Sequence, residues 1–176
     1  MKKAVFLDRD GVINEAIVNN NKPYPPNDIA SLKLIPKVTE AINNLHQAGY
    51  FLAVVTNQPD VARGRVKRES VEEINQFLTK NLPLDVFKTC YHDDNDFCSC
   101  RKPLPGSFLE VANEYKIDLK NSFMVGDRWR DIEAGIAAGC KTFFIDYQYD
   151  EKRPTYFDYK VASLFEASTI ILNMAL

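Results

Sequence analysis

Five short apolar runs recur along the chain: "KAVFLD" (Lys3–Asp8), "YFLAVVTN" (Tyr50–Asn57), "VFKTCYH" (Val86–His92), "SFMVGD" (Ser122–Asp127) and "KTFFID" (Lys141–Asp146). Each is brief, rich in Val, Phe and Ile, and ends in polar residues, which predicts buried strands. Between them, apolar residues recur at helical spacing in "VTEAINNLHQAG" (Val38–Gly49), "RESVEEINQFLTKNL" (Arg68–Leu82), "GSFLEVANEYK" (Gly106–Lys116) and "RDIEAGIAAG" (Arg130–Gly139). Gly49 and Gly139 stand where helix C-caps are wanted. Strand and helix in regular alternation imply a parallel sheet with helices on both faces, an α/β three-layer sandwich of Rossmann-like type. The polar strand ends then converge on one edge, where open sheets of this kind bind ligands.

Two stretches break the alternation. The loop "IVNNNKPYPPNDIASLKL" (Ile17–Leu34) is expected to be irregular, since its Asn and Pro residues argue against a helix. Its place after the first strand makes it a candidate lid or specificity loop. The segment "DYQYDEKRPTYFDYK" is also expected to be irregular, with "VASLFEASTIIL" after it forming a last short strand or helix on the sheet edge. Tyr147, Tyr149, Tyr156, Phe157 and Tyr159 would cover that edge or form a subunit contact.

With 176 residues the chain suits a single domain, 1–176, with no large cap domain. Hydrophobic residues make up 45% and charged ones 26%, and the net charge of −2 has both signs interspersed, so bulk electrostatics point to neither nucleic acid nor membrane. The N-terminal apolar run is too short for a signal peptide, and no later run approaches the roughly 18 residues of a membrane span. A cytoplasmic monomer is the default expectation, and in a reducing compartment clustered thiols point to metal or redox chemistry rather than disulfides.

The strand ends carry the candidate chemistry. Asp8 and Asp10 flank Arg9 in "FLDRDG", and residues two apart in an extended chain point to the same side. Paired carboxylates repel unless a cation or shared proton compensates, so the pair suits Mg²⁺ or acid/base work. "VVTNQ" places Thr56 and Asn57 at the same edge, "VGDRWRD" adds Asp127 and Asp131, and Arg101-Lys102 follows the third strand. Carboxylates, a hydroxyl, an amide and a lysine are what phosphoryl transfer to an aspartate requires.

In this order "FLDRDG", "VVTNQ", "RKP" and "GDRWRD" resemble the four motifs of the haloacid dehalogenase superfamily of phosphatases, from Val5 to about Asp146. The resemblance implies that Asp8 is the nucleophile and Asp10 the general acid/base. It also implies that Thr56 and Lys102 bind the phosphoryl group, and that Asp8, the Asp10 carbonyl and Asp127 hold Mg²⁺. Asp131 would orient Lys102 or a metal-bound water, or serve only as a carboxylate at a helix N-terminus.

Three of the four cysteines fall in "CYHDDNDFCSC". Cys90, His92, Cys98 and Cys100 are the ligand set of a closed, structural zinc site, whereas a redox pair is usually Cys-x-x-Cys and leaves His92 unexplained. Cys140 is expected to be a core thiol. Such a knot just before Arg101-Lys102 would fix where those cations project.

A cap-less chain with this loop and "CRKP" is similar to the family of D-glycero-D-manno-heptose 1,7-bisphosphate phosphatases and histidinol-phosphate phosphatases. That similarity implies a small phosphorylated sugar as substrate, recognised by Arg101 and Arg128, with Asn57 and Gln58 contacting substrate or phosphate. A histidinol-phosphate site would instead want rim carboxylates, for which Asp60 and Asp28 are candidates. The short gap between His92 and Cys98, Pro59 after "TNQ", and the Pro/Asn-rich loop depart from the pattern and touch the substrate rim.

Overall fold

The fold is known from a computed structural model that describes residues 1–174; the last two residues of the expected 1–176 domain lie outside the described residues. The strands are β1 (Ala4–Leu7), β2 (Ile17–Asn19), β3 (Lys22–Tyr24), β4 (Phe51–Asn57), β5 (Val86–Cys90), β6 (Phe123–Gly126), β7 (Lys141–Ile145) and β8 (Tyr159–Val161). The helices are α1 (Val38–Gln47), α2 (Arg68–Asn81), α3 (Gly106–Tyr115), α4 (Trp129–Ala138) and α5 (Leu164–Asn173). Six strands form one parallel sheet in the order β5-β4-β1-β6-β7-β8.

Alternate residues of each strand feed two cores, as a two-sided sheet demands. Val5, Leu7, Leu52, Val54 and Val125 pack with α1, α2 and α5 on one face. Ala4, Phe6, Ala53, Val55 and Met124 pack with α3 and α4 on the other, where Phe6 meets Phe108 at 4.7 Å between ring centroids. Cys140 joins this second core as expected, and burial pushes its thiol up to about 12. The three-layer architecture expected from the alternation is therefore present.

Chain order runs outward from β1 to β4 and β5, then returns to β6 on the other side of β1. This reversal is the switch point at which doubly wound sheets open a crevice at their carboxyl ends. Leu7 is in register with Val54 on one side and Val125 on the other, so Asp8, Thr56 and Asp127 emerge together at that edge.

The Ile17–Leu34 segment differs from its expected irregularity, because β2 and β3 pair within it as an antiparallel hairpin. Asn20 and Asn21 form the two-residue turn with φ of 48° and 57°, the left-handed pair that such a hairpin requires and that Asn tolerates. The C-terminal segment yields both a strand and a helix rather than one of them. Two of the five aromatics expected at the edge cover the sheet, Tyr159 stacking on Phe143 at 4.7 Å and Phe157 leaning on Phe144 at 5.5 Å, whereas Tyr147 and Tyr149 pair with each other near Gly11 and Tyr156 is exposed. No helix among the described residues is long and apolar enough to cross a membrane.

Candidate active site

β1 ends at Leu7, and the chain turns immediately, with the Arg9 carbonyl accepting from the N–H groups of Ile13 and Asn14. Asp8 and Asp10 therefore reach one cavity through a turn rather than through strand alternation. Gly11 makes the turn possible at φ +85°, and a Cβ there would lie 1.9 Å from an Asp127 oxygen. Gly126 allows a second close approach, since its Cβ would meet Asp131 at 2.2 Å.

Asp8, Lys102, Asp127 and Asp131 are all buried at the switch point. The Lys102 ammonium lies 2.9 Å from Asp8 Oδ1 and 2.6 Å from Asp131 Oδ1, and donates to the Val55 carbonyl at 2.5 Å. Its three protons thus have three acceptors. Burial alone would lower the Lys102 pKa, but the Asp131 and Asp8 charges outweigh it and raise the value.

Burial, reinforced by the Asp131 charge and opposed by Lys102, pushes Asp8 up to about 7. Burial also raises Asp127, with the charges of Asp8 and Asp131 acting in the same direction. Among the described residues neither Asp127 oxygen has a hydrogen-bond partner. Two orphaned carboxylate oxygens in a buried site are costly without a cation. Asp8, Asp127 and Asp131 each offer an oxygen within 4.8 Å of the others, and hard oxygen donors of this kind fit Mg²⁺.

Asp131 combines the two roles open to it. One oxygen pairs with Lys102, and the other accepts from the Arg128 N–H at 2.9 Å as the N-terminal carboxylate of α4. The Asp10 carboxylate is turned to different partners: it accepts from Arg9 at 3.1 Å, Asn14 at 3.0 Å and Gln58 at 2.8 Å. Arg9 is wholly buried and anchored to Asn75 Oδ1 at 2.9 Å. The sequence marked Arg9 only as the residue between two aspartates, and nothing local announces Asn75, which reaches Arg9 from α2.

The other expected residues divide between the cavity and its frame. Asn57 donates to the Lys102 carbonyl at 3.0 Å and accepts from the Lys102 N–H at 3.1 Å, pinning the lysine backbone from both sides. Gln58 also donates to Thr56 Oγ1 at 2.9 Å, and both side chains are buried. Arg128 makes a forked contact with Glu151, with Nε at 2.9 Å from Oε2 and 3.1 Å from Oε1. Arg101 turns toward the cysteine loop, donating to Asp94 at 2.8 Å and to the His92 carbonyl at 3.3 Å.

The cavity over these groups has a volume of about 380 Å³, and its lining includes Asp8, Asp10, Lys102 and Asp127 together with Asn57 and Arg128. Lys22 and Tyr24 of the hairpin and Asp150 and Glu151 of the segment after β7 form its outer walls. Asp60 reaches the rim but is bridged by Arg63 and Arg65, each at 3.4 Å. Asp28 is exposed and bonded to Ser31. A wider groove of about 740 Å³ between α2, β5 and α3 contains none of the strand-end carboxylates, so its size does not make it the reactive site.

Cys90, His92, Cys98 and Cys100 come together as expected. Sulfur–sulfur distances are 3.7 Å (Cys90–Cys98), 3.5 Å (Cys98–Cys100) and 3.0 Å (Cys90–Cys100). His92 Nδ1 lies 3.6 Å from Cys90 Sγ and 3.3 Å from Cys100 Sγ. A tetrahedron with Zn–S bonds of 2.3 Å has edges of about 3.8 Å, so the group is near the size a zinc ion requires.

Comparisons with known proteins show the family. The chain belongs to the haloacid dehalogenase-like hydrolase family, whose sequence profile matches residues 14–139. That match spans Thr56, Lys102, Asp127 and Asp131 and begins after Asp8 and Asp10.

A D-glycero-beta-D-manno-heptose-1,7-bisphosphate 7-phosphatase of Vibrio cholerae is 38% identical over 153 residues, 80% of this chain and 79% of the relative. The enzyme of the same name from Yersinia pestis is 34% identical over 151 residues, 79% of this chain and 77% of that one. The crystal structure of the D,D-heptose 1,7-bisphosphate phosphatase of B. bronchiseptica, solved with magnesium and phosphate, superposes with a TM-score of 0.80. It is 26% identical and covers 98% of this chain and 99% of its own.

Proposed function

We propose that the protein is a Mg²⁺-dependent phosphatase that removes the 7-phosphate of D-glycero-D-manno-heptose 1,7-bisphosphate through an aspartyl-phosphate on Asp8. The observation that carries the mechanism is the buried trio Asp8, Lys102 and Asp127, two of them ion-paired and the third with both oxygens unpartnered. The named relatives and the magnesium- and phosphate-bound neighbour support the substrate and the metal.

In this reading the Asp8 carboxylate attacks the phosphorus in line with the bond to the sugar oxygen, which leaves with a proton from Asp10. Gln58, Asn14 and Arg9 hold the Asp10 carboxyl for that transfer. Asp10 then takes a proton from water as the water attacks the aspartyl-phosphate, releasing phosphate and restoring Asp8. Lys102 and Thr56 bind the phosphoryl oxygens, and Asp131 keeps the Lys102 ammonium aimed at Asp8. Mg²⁺, held by Asp8, Asp127 and the Asp10 carbonyl, supplies neutralisation of the transferring phosphoryl charge. Zn²⁺ on Cys90, His92, Cys98 and Cys100 would be structural, since four protein ligands leave no open position. The enzyme works in this reading as a cytoplasmic monomer, in a compartment where those thiols stay reduced.

Histidinol phosphate is the rival substrate, and the cavity-lining Asp150 is the observation in its favour, since an amine would seek a carboxylate. Phosphate release from both anomers of the heptose bisphosphate, from histidinol phosphate and from common sugar monophosphates, with and without Mg²⁺, separates the readings. Preferred, Mg²⁺-dependent turnover of a heptose bisphosphate anomer supports the proposal. Turnover no faster than that of simple monophosphates rejects the substrate.

A further inference from the structure

Five cations line the catalytic cavity: Lys22, Arg63, Lys102, Arg128 and Arg130. Four of them are neutralised in place by protein carboxylates. Arg63 is bridged to Asp60 and Asp93, Lys102 to Asp8 and Asp131, Arg128 to Glu151, and Arg130 to Asp94. Lys22 alone has no carboxylate at ion-pair distance among the described residues.

Lys22 opens β3, directly after the Asn20–Asn21 turn. Asn21 fastens that turn to the opposite wall: its side-chain amide donates to the Gln148 carbonyl at 3.0 Å, and its carbonyl accepts from the Asp150 N–H at 2.8 Å. The hairpin is therefore tied to the segment after β7, and its lysine belongs to a fixed rim rather than to a free loop.

We propose that Lys22 is a specificity-determining residue of this site, receiving the second, non-reacting phosphate of a bisphosphate substrate while the first lies at Asp8 and Lys102. The inference rests on the phosphatase reading above and goes beyond it in naming the distal contact. An unpaired ammonium with three rotatable donors suits a phosphate dianion. Arg101 faces Asp94 and the His92 carbonyl, and Arg128 is already forked onto Glu151, so each would have to break an existing bond to serve. Asp150, on the wall that Asn21 binds, has no cationic partner at ion-pair distance among the described residues and repels the same phosphate. The two side chains should therefore act with opposite sign.

The test is kcat/KM for heptose 1,7-bisphosphate and for heptose 7-phosphate, which lacks the second phosphate, in the Mg²⁺-loaded wild type, Lys22→Ala, Lys22→Arg and Asp150→Asn. Lys22→Ala is expected to lower the bisphosphate value about tenfold or more, mainly through KM, and to leave the monophosphate within about twofold. Lys22→Arg should restore most of the loss, and Asp150→Asn should raise the bisphosphate value. Equal losses on both substrates, or none on either, would overturn the role of Lys22 while leaving the phosphatase reading intact. A wild type that does not prefer the bisphosphate overturns the substrate reading and this assignment with it.

Discussion

Two metal-sized clusters among the described residues are built in opposite ways. Asp8, Asp127 and Asp131 come from the ends of two strands and the first turn of α4, separated by more than a hundred residues of chain, and are fixed by the register of β1 against β6. Cys90, His92, Cys98 and Cys100 come from eleven consecutive residues, the buried end of β5 and the loop after it, where His92 is exposed and Cys98 and Cys100 are half-buried. The first is shaped by the core whether or not its cation is bound, and burial, reinforced by repulsion among its carboxylates, raises Asp8 and Asp127. The second has little core beneath it, so the metal itself is what would order it. Loss of the first metal should therefore cost chemistry, and loss of the second should cost local structure.

The sharpest separation is expected from Asp8→Asn. Turnover should fall about a thousandfold or more, with the fold and the zinc content retained, as steady-state kinetics, circular dichroism and metal analysis will show. An Asp8→Asn variant with normal turnover would remove Asp8 as the nucleophile. Next comes Asp131→Asn, which removes one of the two carboxylates from Lys102 and should lower kcat about tenfold or more at unchanged zinc content.

Cys98→Ser acts on the other cluster. It should lower zinc content and the melting midpoint together, the latter by at least about 4 °C, the shift that about 2 kcal/mol produces in a chain of this size. Because Asp93 and Asp94 of this loop bridge Arg63, Arg101 and Arg130, KM should rise several-fold while kcat changes little. A variant that keeps full zinc and normal melting would remove the distinction between the clusters.

A last effect is a pH dependence of the metal-free protein. Burial pushes Asp8 up to about 7 in the folded state, far above the ordinary carboxylate range, so the folded state binds more protons across that window. Its contribution to stability is then lost as pH rises from about 4 to about 7. Mg²⁺ binding needs the ionised carboxylate, so the gain in midpoint on adding Mg²⁺ should grow over the same range. Thermal unfolding at pH 5 and 7.5, with and without Mg²⁺, checks the sign.

The same contrast explains what was legible in the sequence. The strands are readable because two-sided burial makes them short apolar runs, and their polar ends mark Asp8, Thr56 and Asp127, with Lys102 in the loop after the third run. The Cys/His group was readable because it is local. The hairpin was overlooked although Asn20-Asn21 carried its turn chemistry, since Ile17 and Val18 are exposed and give no core pattern. Arg9 with Asn75, Glu151 on Arg128, and the rim residues Lys22 and Asp150 depend on tertiary approach between distant segments, which no local spacing encodes. The bond from Arg101, which the resemblance assigns to substrate, to Asp94 is likewise not encoded in local spacing.

The most direct test of the central claim is a rapid acid quench of the Mg²⁺-loaded enzyme during turnover of heptose 1,7-bisphosphate, followed by peptide mass analysis. A transient, alkali-labile phosphoryl group on the peptide containing Asp8, absent in Asp8→Asn, is the predicted result. Rapid phosphate release with no phosphoryl group on the protein, or with one on another residue, would contradict it.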